Sequence, residues 1–344
     1  MAIFADKRRG SVWGGQKAWP SSFKMGARYA SKQTLATSIC TPEPHMIGII
    51  GGTGLYQMEG LRVHQVRTVG TPFGEPSSGL AVGTLRGREV AFLARHGFNH
   101  DLLPSEINYR ANIWALKSLG ARTILSVSAV GSLREEIRPG DLALPSQYID
   151  FTKGLRASTF FGRDDRTAAE GIPGSANGAT RGIVAHISTA QPTCRATCAL
   201  AANVARSLGI AIHENKTYAC VEGPRLGTRA ESFFLRGAGA DLVGMTNVPE
   251  AFLAGEAQVG YCTIAVPTDY DCWLDDSTQH VSAEQVMEQF RGSLATVQRL
   301  IAGVVAEYIE DESRPCRHTL KGAVFTPRER MTEAQREIVD FLSV

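Results

Sequence analysis

The sequence predicts an α/β fold: a single domain whose mixed, mostly parallel central sheet is flanked by helices. Three observations carry that prediction. Short apolar, β-branched runs alternate along the chain with longer segments of helical period. Several of the runs are continuously apolar, as strands covered on both faces must be. Glycine is plentiful, 35 of 344 residues, about 10% against a usual roughly 7%, and small residues gather where the runs end.

The first strand, residues 46–50, runs straight into Gly51-Gly52-Thr53-Gly54. Residues 81–95 read as a hairpin with Gly87 in its turn region. A helix is predicted over about 105–119, apolar at Ile107, Ile113, Trp114 and Leu116 and ended by Gly120. A buried strand follows at 123–132. The alternation then repeats: strand near 141–149, helix near 192–208, strand near 215–222 and helix near 228–238. Strands near 241–245 and 261–267 and a helix over about 283–309 complete the series. Residues 163–181 are small and polar and read as a surface loop insertion. Residues 1–45 are basic, nearly free of acids and rich in Ser, Gly and Ala, which sets them outside the fold. The domain is therefore placed at 46–312. A tail, 313–344, ends in the amphipathic stretch MTEAQREIVDFL, which docks on the domain or on a neighbour.

Composition narrows the function classes. Lys and Arg number 36 against 34 Asp and Glu, a net of +2, so no electrostatic reason exists to expect nucleic acid or an anionic membrane as partner. The longest apolar runs stop well short of the ~18 residues that span a bilayer. Seven cysteines are scattered without a paired framework. Cys194 and Cys198 sit four apart on the predicted helix, which could be half of a metal site. No CxxC or HExxH accompanies them, so they read as plain thiols, in a reduced compartment. The expected setting is cytoplasmic, with organelle targeting by the basic extension left open.

Several strand ends carry candidate chemistry. In IGIIGGTGL, glycines follow a strand and Thr53 adds a hydroxyl; a plain tight turn and an anion cradle both fit. A P-loop is excluded because no GKS or GKT occurs, and the dinucleotide GxGxxG is broken by Thr53 and Gln57. Arg95-His96-Gly97 offers a forked donor and a second directional one, suited to a phosphate, or else a surface Arg and a bonded His. Ser128-Ala129-Val130-Gly131-Ser132 is a third small-residue strand exit. Three such turns at carboxyl ends of strands point to one ligand crevice. Further on, Glu222-Gly223-Pro224-Arg225 ends a strand, and Met245 and Thr246 stand where a strand exits toward a helix. Asp269 and Asp271 follow an apolar strand. On an extended segment they point the same way, suited to reading a heterocycle edge or donating a proton; the other reading is a hydrated Asx-type turn.

Seven segments together resemble the purine nucleoside phosphorylase superfamily, trimeric branch, and within it the methylthioadenosine phosphorylases: IGIIGGTGL, TPFGEPS, LARHGFNHDLLPSEINYRANIWALKSLG, SAVGSLREEIRPGDLALPSQYIDFT, EGPRLGTRAE, GADLVGMTNVPEA and TDYDCW. The resemblance spans roughly residues 46–310 and implies a nucleoside phosphorylase fold. It implies phosphorolysis of S-methyl-5'-thioadenosine to adenine and 5-methylthioribose-1-phosphate, a pentosyl transfer serving purine and methionine salvage. The implied phosphate site is Thr53, Arg95, His96, Ser128, Ala129 and Thr246, with Ser128 where the family usually has Thr. Met245 would lie against the ribose, and Asp269 and Asp271 would face the base as its acid and its reader. Leu226 stands where an aromatic residue usually stacks on the purine. His186 matches a residue that reaches across the subunit interface of a homotrimer, and Leu320 is a candidate to close the 5′ pocket. Phosphate is a co-substrate, and neither metal nor organic cofactor is implied. A carboxylate accepts from a 6-amino group and repels a 6-oxo oxygen, which favours adenine. The alternatives are a phosphorylase for methylthioinosine or other 6-oxopurine nucleosides, and a non-catalytic nucleoside-binding protein.

Overall fold

The computed structural model describes residues 45–52, 54–55, 58–152, 154, 156–162, 182–276 and 281–344. Residues 1–44 of the basic extension, Thr53 and the 163–181 loop lie outside these. The strands are β1 (Met46–Gly51), β2 (Arg62–Arg67), β3 (Leu80–Leu85), β4 (Arg88–Ala94), β5 (Ala121–Ser132), β6 (Leu142–Asp150), β7 (Ile212–Cys220), β8 (Leu242–Gly244) and β9 (Gly260–Asp269). The helices are α1 (Tyr109–Ser118), α2 (Arg195–Ser207), α3 (Arg229–Gly237), α4 (Asn247–Glu256), α5 (Ala283–Glu307) and α6 (Glu333–Ser343).

The strands join in one sheet, ordered β2-β3-β4-β1-β5-β8-β7-β6-β9. β1 lies between β4 and β5 and is parallel to both. β5 is also parallel to β9, and β6, β7 and β8 are mutually parallel. Among these strands, antiparallel pairing is confined to β2–β3, β3–β4, β5–β8 and one bridge between β6 and β9. The sheet is thus mixed and mostly parallel, as the sequence predicts. Because β9 pairs with both β5 and β6, the portion β5-β8-β7-β6-β9 closes on itself. Closure leaves no open edge there and gathers the carboxyl ends of β5 and β9 with the loops after β7 and β8.

Alternation along β1 shows how the layers form. Met46 and Ile50 point into a core with Trp114 and Leu116 of α1, Leu253 of α4 and Leu342 of α6. Ile47 and Ile49 point the other way, into a core with Val204 of α2 and Val297, Leu300 and Val304 of α5. That is the period-2 pattern of a strand buried on both faces. The β3–β4 turn places both Arg86 (φ 52°) and Gly87 (φ 78°) in the left-handed region, the geometry a two-residue hairpin loop requires.

Two elements differ from the sequence reading, and a third takes one of the alternatives it left open. β2 was not foreseen: its RVHQVR is almost wholly exposed, so no apolar alternation announces it, and it forms by edge pairing with β3. The first helix starts at Tyr109 rather than near 105, because Asn108 caps it, its side-chain oxygen accepting from Ala111 N–H at 3.2 Å. The tail docks on its own chain: Thr332 and Gln335 form a capping box, and the Phe341 ring stacks on Trp114 of α1 with centroids 3.9 Å apart. Leu320, the candidate for closing a pocket, is instead buried in the α1–α4–α6 core.

Candidate active site

Parallel pairing puts the ends of β4 and β1 side by side, next to Ser126 of β5, and Arg95 N–H donates to Gly51 O at 3.1 Å across that rim. The Arg95 side chain turns inward and is only 3% exposed. Its Nε donates to Glu250 Oε2 at 2.8 Å and its Nη2 to Glu250 Oε1 at 2.9 Å, a forked pair. Nη2 also donates to Ser126 Oγ at 2.6 Å, and Nη1 to Val127 O at 2.9 Å. Burial works against the charge on Arg95, and Glu250 more than offsets it, holding the guanidinium above its ordinary range. Burial likewise opposes the Glu250 carboxylate, but Arg95, Ser126 and Tyr261 keep it below the usual carboxylate range. Glu250 was not among the predicted site residues. The signal was present, a lone acid in the apolar NVPEAFLAG of α4, because a buried charge implies a partner.

His96 differs from the expectation of a second donor. Its Nδ1 lies 2.9 Å from Leu102 O, and a carbonyl can only accept, so Nδ1 carries the hydrogen. Burial pushes the imidazole down to about 4, leaving it neutral near pH 7 with Nε2 as an acceptor. Its ring stacks on His100, centroids 4.5 Å apart.

Ser128 and Thr246 meet directly, hydroxyl to hydroxyl at 3.2 Å, both buried. Ala129 follows on β5 and is half-buried. Met245 packs its Sδ against Gly223: a Cβ on that glycine would lie 2.4 Å from the sulfur, and its φ is +69°. Arg156, a second residue that sequence reasoning missed, donates from Nη1 to Met245 O at 2.7 Å and Val248 O at 2.8 Å, and from Nε to Glu222 Oε1 at 3.1 Å. It thereby fixes the backbone that carries Met245 and Thr246.

The two aspartates come together, but not on an extended segment. Asp269 is the last residue of β9, and Asp271 sits in the left-handed region at φ 52°. Asp271 N–H donates to Asp269 Oδ1 at 2.8 Å, an Asx-type turn. Thr268 Oγ1 donates to Asp269 Oδ2, and Ser232 Oγ to Asp271 Oδ2, each at 2.6 Å. Asp269 is 8% and Asp271 6% exposed. Burial pushes Asp269 up to about 6; the hydrogen bonds from Thr268 and Asp271 N–H oppose that rise, and the Asp271 charge adds to it.

Gly131 of β5 is where these carboxylates touch the strand. A Cβ there would stand 3.1 Å from Asp269 Oδ1, 3.1 Å from Val243 Cγ1 and 3.3 Å from Asp271 Cβ. Gly131→Ala is therefore expected to displace Asp269 and lower kcat/KM for the substrate roughly 10- to 100-fold, with Tm nearly unchanged. Wild-type kinetics in that variant would show that the position of Asp269 does not matter.

One strand carries both halves of the site. Ser128 and Gly131 are three residues apart on β5, about 10 Å at ~3.3 Å per residue, so the hydroxyl pair and the two carboxylates meet the same strand at separate points. Leu226 lies exposed in the loop after Gly223-Pro224-Arg225, and Gly227 brings that loop within 3.7 Å of both Asp271 oxygens, measured from its Cβ position. His186 stands elsewhere: its N–H donates to Ala323 O at 2.9 Å and its exposed ring tilts on Phe325. Within one chain, then, Arg95, Ser128, Thr246, Met245, Asp269 and Asp271 gather at one end of the sheet, and His186 does not join them. Among the described residues no group of three or more His, Cys, Asp or Glu could hold a metal ion.

This arrangement belongs to a known class. The sequence pattern of the phosphorylase superfamily matches residues 46–310, and the chain belongs to that superfamily. It is similar to the S-methyl-5'-thioadenosine phosphorylase of Geobacter sulfurreducens, 42% identical over 297 residues that cover 86% of this chain and 97% of that protein. It is equally similar to that of Thermofilum pendens, 43% identical over 278 residues, 81% of this chain and 98% of that protein. Among solved structures, a methylthioadenosine phosphorylase from an antarctic soil metagenomic library superposes with a TM-score of 0.76 at 42% identity, covering 87% of this chain and 99% of that one. The methylthioadenosine phosphorylase of Schistosoma mansoni in complex with adenine does so at 0.73 and 35% identity, covering 81% and 99%.

Proposed function

We propose that this chain cleaves S-methyl-5'-thioadenosine by phosphorolysis, releasing adenine and 5-methylthioribose-1-phosphate. The observation that carries the reading is the buried carboxyl of Asp269, raised to about 6, held along β5 from the Ser128–Thr246 hydroxyl pair and Arg95. Membership of the superfamily makes the chain a nucleoside phosphorylase, a pentosyltransferase with phosphate as co-substrate, and this reading requires no metal or organic cofactor.

Phosphate is taken by the hydroxyls of Ser128 and Thr246, the backbone at Ala129, the second Nη1 hydrogen of Arg95, and Thr53. Neutral His96 accepts the remaining P–OH hydrogen at Nε2, which orients the anion without adding charge. Phosphate then attacks the anomeric carbon from below the sugar as the glycosidic bond opens, and its negative charge stabilises the developing ribosyl cation. The Met245 backbone N–H holds a ribose hydroxyl. Adenine leaves with charge growing on its imidazole ring, and protonated Asp269 donates to nitrogen 7. Asp271 accepts from the exocyclic amine, and Leu226 gives aliphatic contact to the base. A 6-oxopurine would set its oxygen against that carboxylate, leaving two buried acceptors opposed.

A homotrimer, with His186 and Phe325 of one subunit completing the 5′ pocket of the next, is supported by the exposed aromatic pair Phe151 and Phe234, 42% and 62% exposed with centroids 5.9 Å apart. The free thiols support a reduced, cytoplasmic setting; no helix among the described residues is long and apolar enough to cross a membrane. The test is incubation with methylthioadenosine with and without phosphate. Free adenine is expected only when phosphate is present. Adenine release without phosphate, or equal rates on methylthioinosine, would overturn the reading.

A further inference from the structure

The segment EGPRLGTRAE stops one residue short of Ser232, which is 0% exposed in the first turn of α3. Several bonds make that turn rigid. Thr228 Oγ1 accepts from Glu231 N–H at 3.2 Å and Glu231 Oε2 accepts from Thr228 N–H at 2.7 Å, a capping box. Arg225 forks onto the same carboxylate at 2.6 and 2.8 Å. Ser232 N–H then donates to Thr228 O at 2.9 Å, which begins the helical ladder. The backbone of Ser232 is therefore fixed, and its hydroxyl donates to Asp271 Oδ2 at 2.6 Å, the length of a hydroxyl bond to a carboxylate.

The turn that carries Asp271 has its own anchors. Asp271 N–H donates to Asp269 Oδ1 at 2.8 Å, Val281 N–H to Asp271 O at 2.8 Å and Trp273 Nε1 to Ser132 O at 2.9 Å. Cys272 Sγ donates to Gly227 O at 3.5 Å, and Arg229 Nη1 to Leu274 O at 3.2 Å. These bonds set where the Asp271 backbone lies without using its carboxylate. Two glycines leave the side chain its space: the Cβ position of Gly131 is 3.3 Å from Asp271 Cβ, and that of Gly227 is 3.7 Å from each oxygen. The last torsion of an aspartate is broad, with no sharp intrinsic preference, so the plane of the carboxylate is set by its donors. Ser232 is such a donor, and it reaches across from an element outside the turn.

We propose that Ser232 is a positioning residue for base selection: by holding Asp271 Oδ2 it aims the carboxylate at the 6-position of the purine, so that an amine is accepted and an oxygen opposed. The inference rests on the phosphorolysis reading above, in which Asp271 meets the exocyclic amine. An aimed acceptor confronts a 6-oxo oxygen and leaves both buried groups unpaired. A carboxylate that can rotate turns away from that oxygen, which relieves the opposition, and meets an amine at a poorer angle. Loss of the Ser232 hydroxyl therefore weakens the 6-amino substrate and spares the 6-oxo one. Thr268 holds Asp269 in the same manner, Oγ1 to Oδ2 at 2.6 Å, but from the adjacent position of the same strand.

Ser232→Ala is expected to lower kcat/KM for methylthioadenosine roughly 10- to 100-fold, while kcat/KM for methylthioinosine holds or rises and the KM for phosphate stays near wild type. The ratio of the two substrates then falls about tenfold or more. Ser232→Cys fills the same space but donates weakly, and should show the same fall. Both rates are read on the full-length protein as free adenine and free hypoxanthine, with thermal unfolding of each variant alongside. Equal losses on the two substrates in Ser232→Ala, or a wild-type ratio in Ser232→Cys, would mean that Ser232 only packs α3, and the proposal falls. A wild-type protein that releases no adenine from methylthioadenosine sinks the phosphorolysis reading and this proposal together. Wild-type cleavage with an unchanged ratio in Ser232→Ala sinks this proposal alone.

Discussion

Asp269→Asn is expected to lower turnover of methylthioadenosine by about 10²- to 10⁴-fold, the range a positioned general acid contributes, while the KM for phosphate stays near wild type. The pH profile carries the second half of this prediction. Burial raises the folded-state pKa of Asp269 from 3.8 to about 6, so in the free enzyme its protonated form is lost as pH rises through about 6. Wild-type kcat/KM should decline along that limb, and the variant should be flat there. Stability must move with the same group. A raised folded pKa means the contribution is whole below pH 3.8 and is lost as pH rises through about 6. A rise from 3.8 to about 6 corresponds to roughly 3 kcal/mol, so at pH 8 the ionised carboxylate strains the fold by an amount of that order. Asparagine cannot ionise; it still accepts from Asp271 N–H and reorients the Thr268 hydroxyl. The variant should therefore match wild-type Tm near pH 4 and exceed it at pH 8. A variant that is inactive but less stable at pH 8 would place the carboxylate in a structural ion network rather than in acid catalysis.

How far the residues spoke for themselves depended on the range of the interaction that fixed them. Strands such as β1, β5 and β9 are set by local period and by burial on both faces, and 46–50, 123–132 and 261–267 were readable from apolar runs alone. β2 was not, because its polar RVHQVR becomes a strand only through pairing with β3. The same distinction divides the site. Arg95, Ser128 and Asp269 stand at strand ends, where sequence pattern exposes them. Their states were not legible: the donor of His96 is spent on Leu102 O, and Asp271 turns left-handed rather than continuing the strand. Arg156 and Glu250 were missed because each acts through a partner remote in sequence, Glu250 on Arg95 across 155 positions. Leu320, a candidate for closing the 5′ pocket, lies buried in the core that holds α1, α4 and α6, a placement that only tertiary packing sets.

Glu250→Gln should raise the KM for phosphate by roughly 10- to 100-fold and lower stability by about 3–5 kcal/mol, the cost of leaving a buried charge unpaired. Glu250 is wholly inaccessible and receives Arg95 through two bonds, with Ser126 Oγ and Tyr261 OH each at 2.7 Å on Oε1. An amide in its place offers one acceptor oxygen instead of two and turns N–H toward the guanidinium. Arg95 then loses its anchor, and with it the angle at which the remaining Nη1 hydrogen meets an anion. Stability and binding can be separated by removing both charges. Breaking one half of a buried pair is costly, whereas replacing both halves with apolar side chains of similar volume is often neutral or stabilising. Arg95→Met with Glu250→Leu is expected to recover most of the Tm lost by Glu250→Gln while phosphate activity stays low, because packing is restored and the donor is not. Thermal unfolding and phosphate saturation kinetics on the three proteins decide it. If the double variant regains both Tm and phosphate KM, Arg95 serves the core alone, and the anion is held by the Ser128–Thr246 end of the crevice without it.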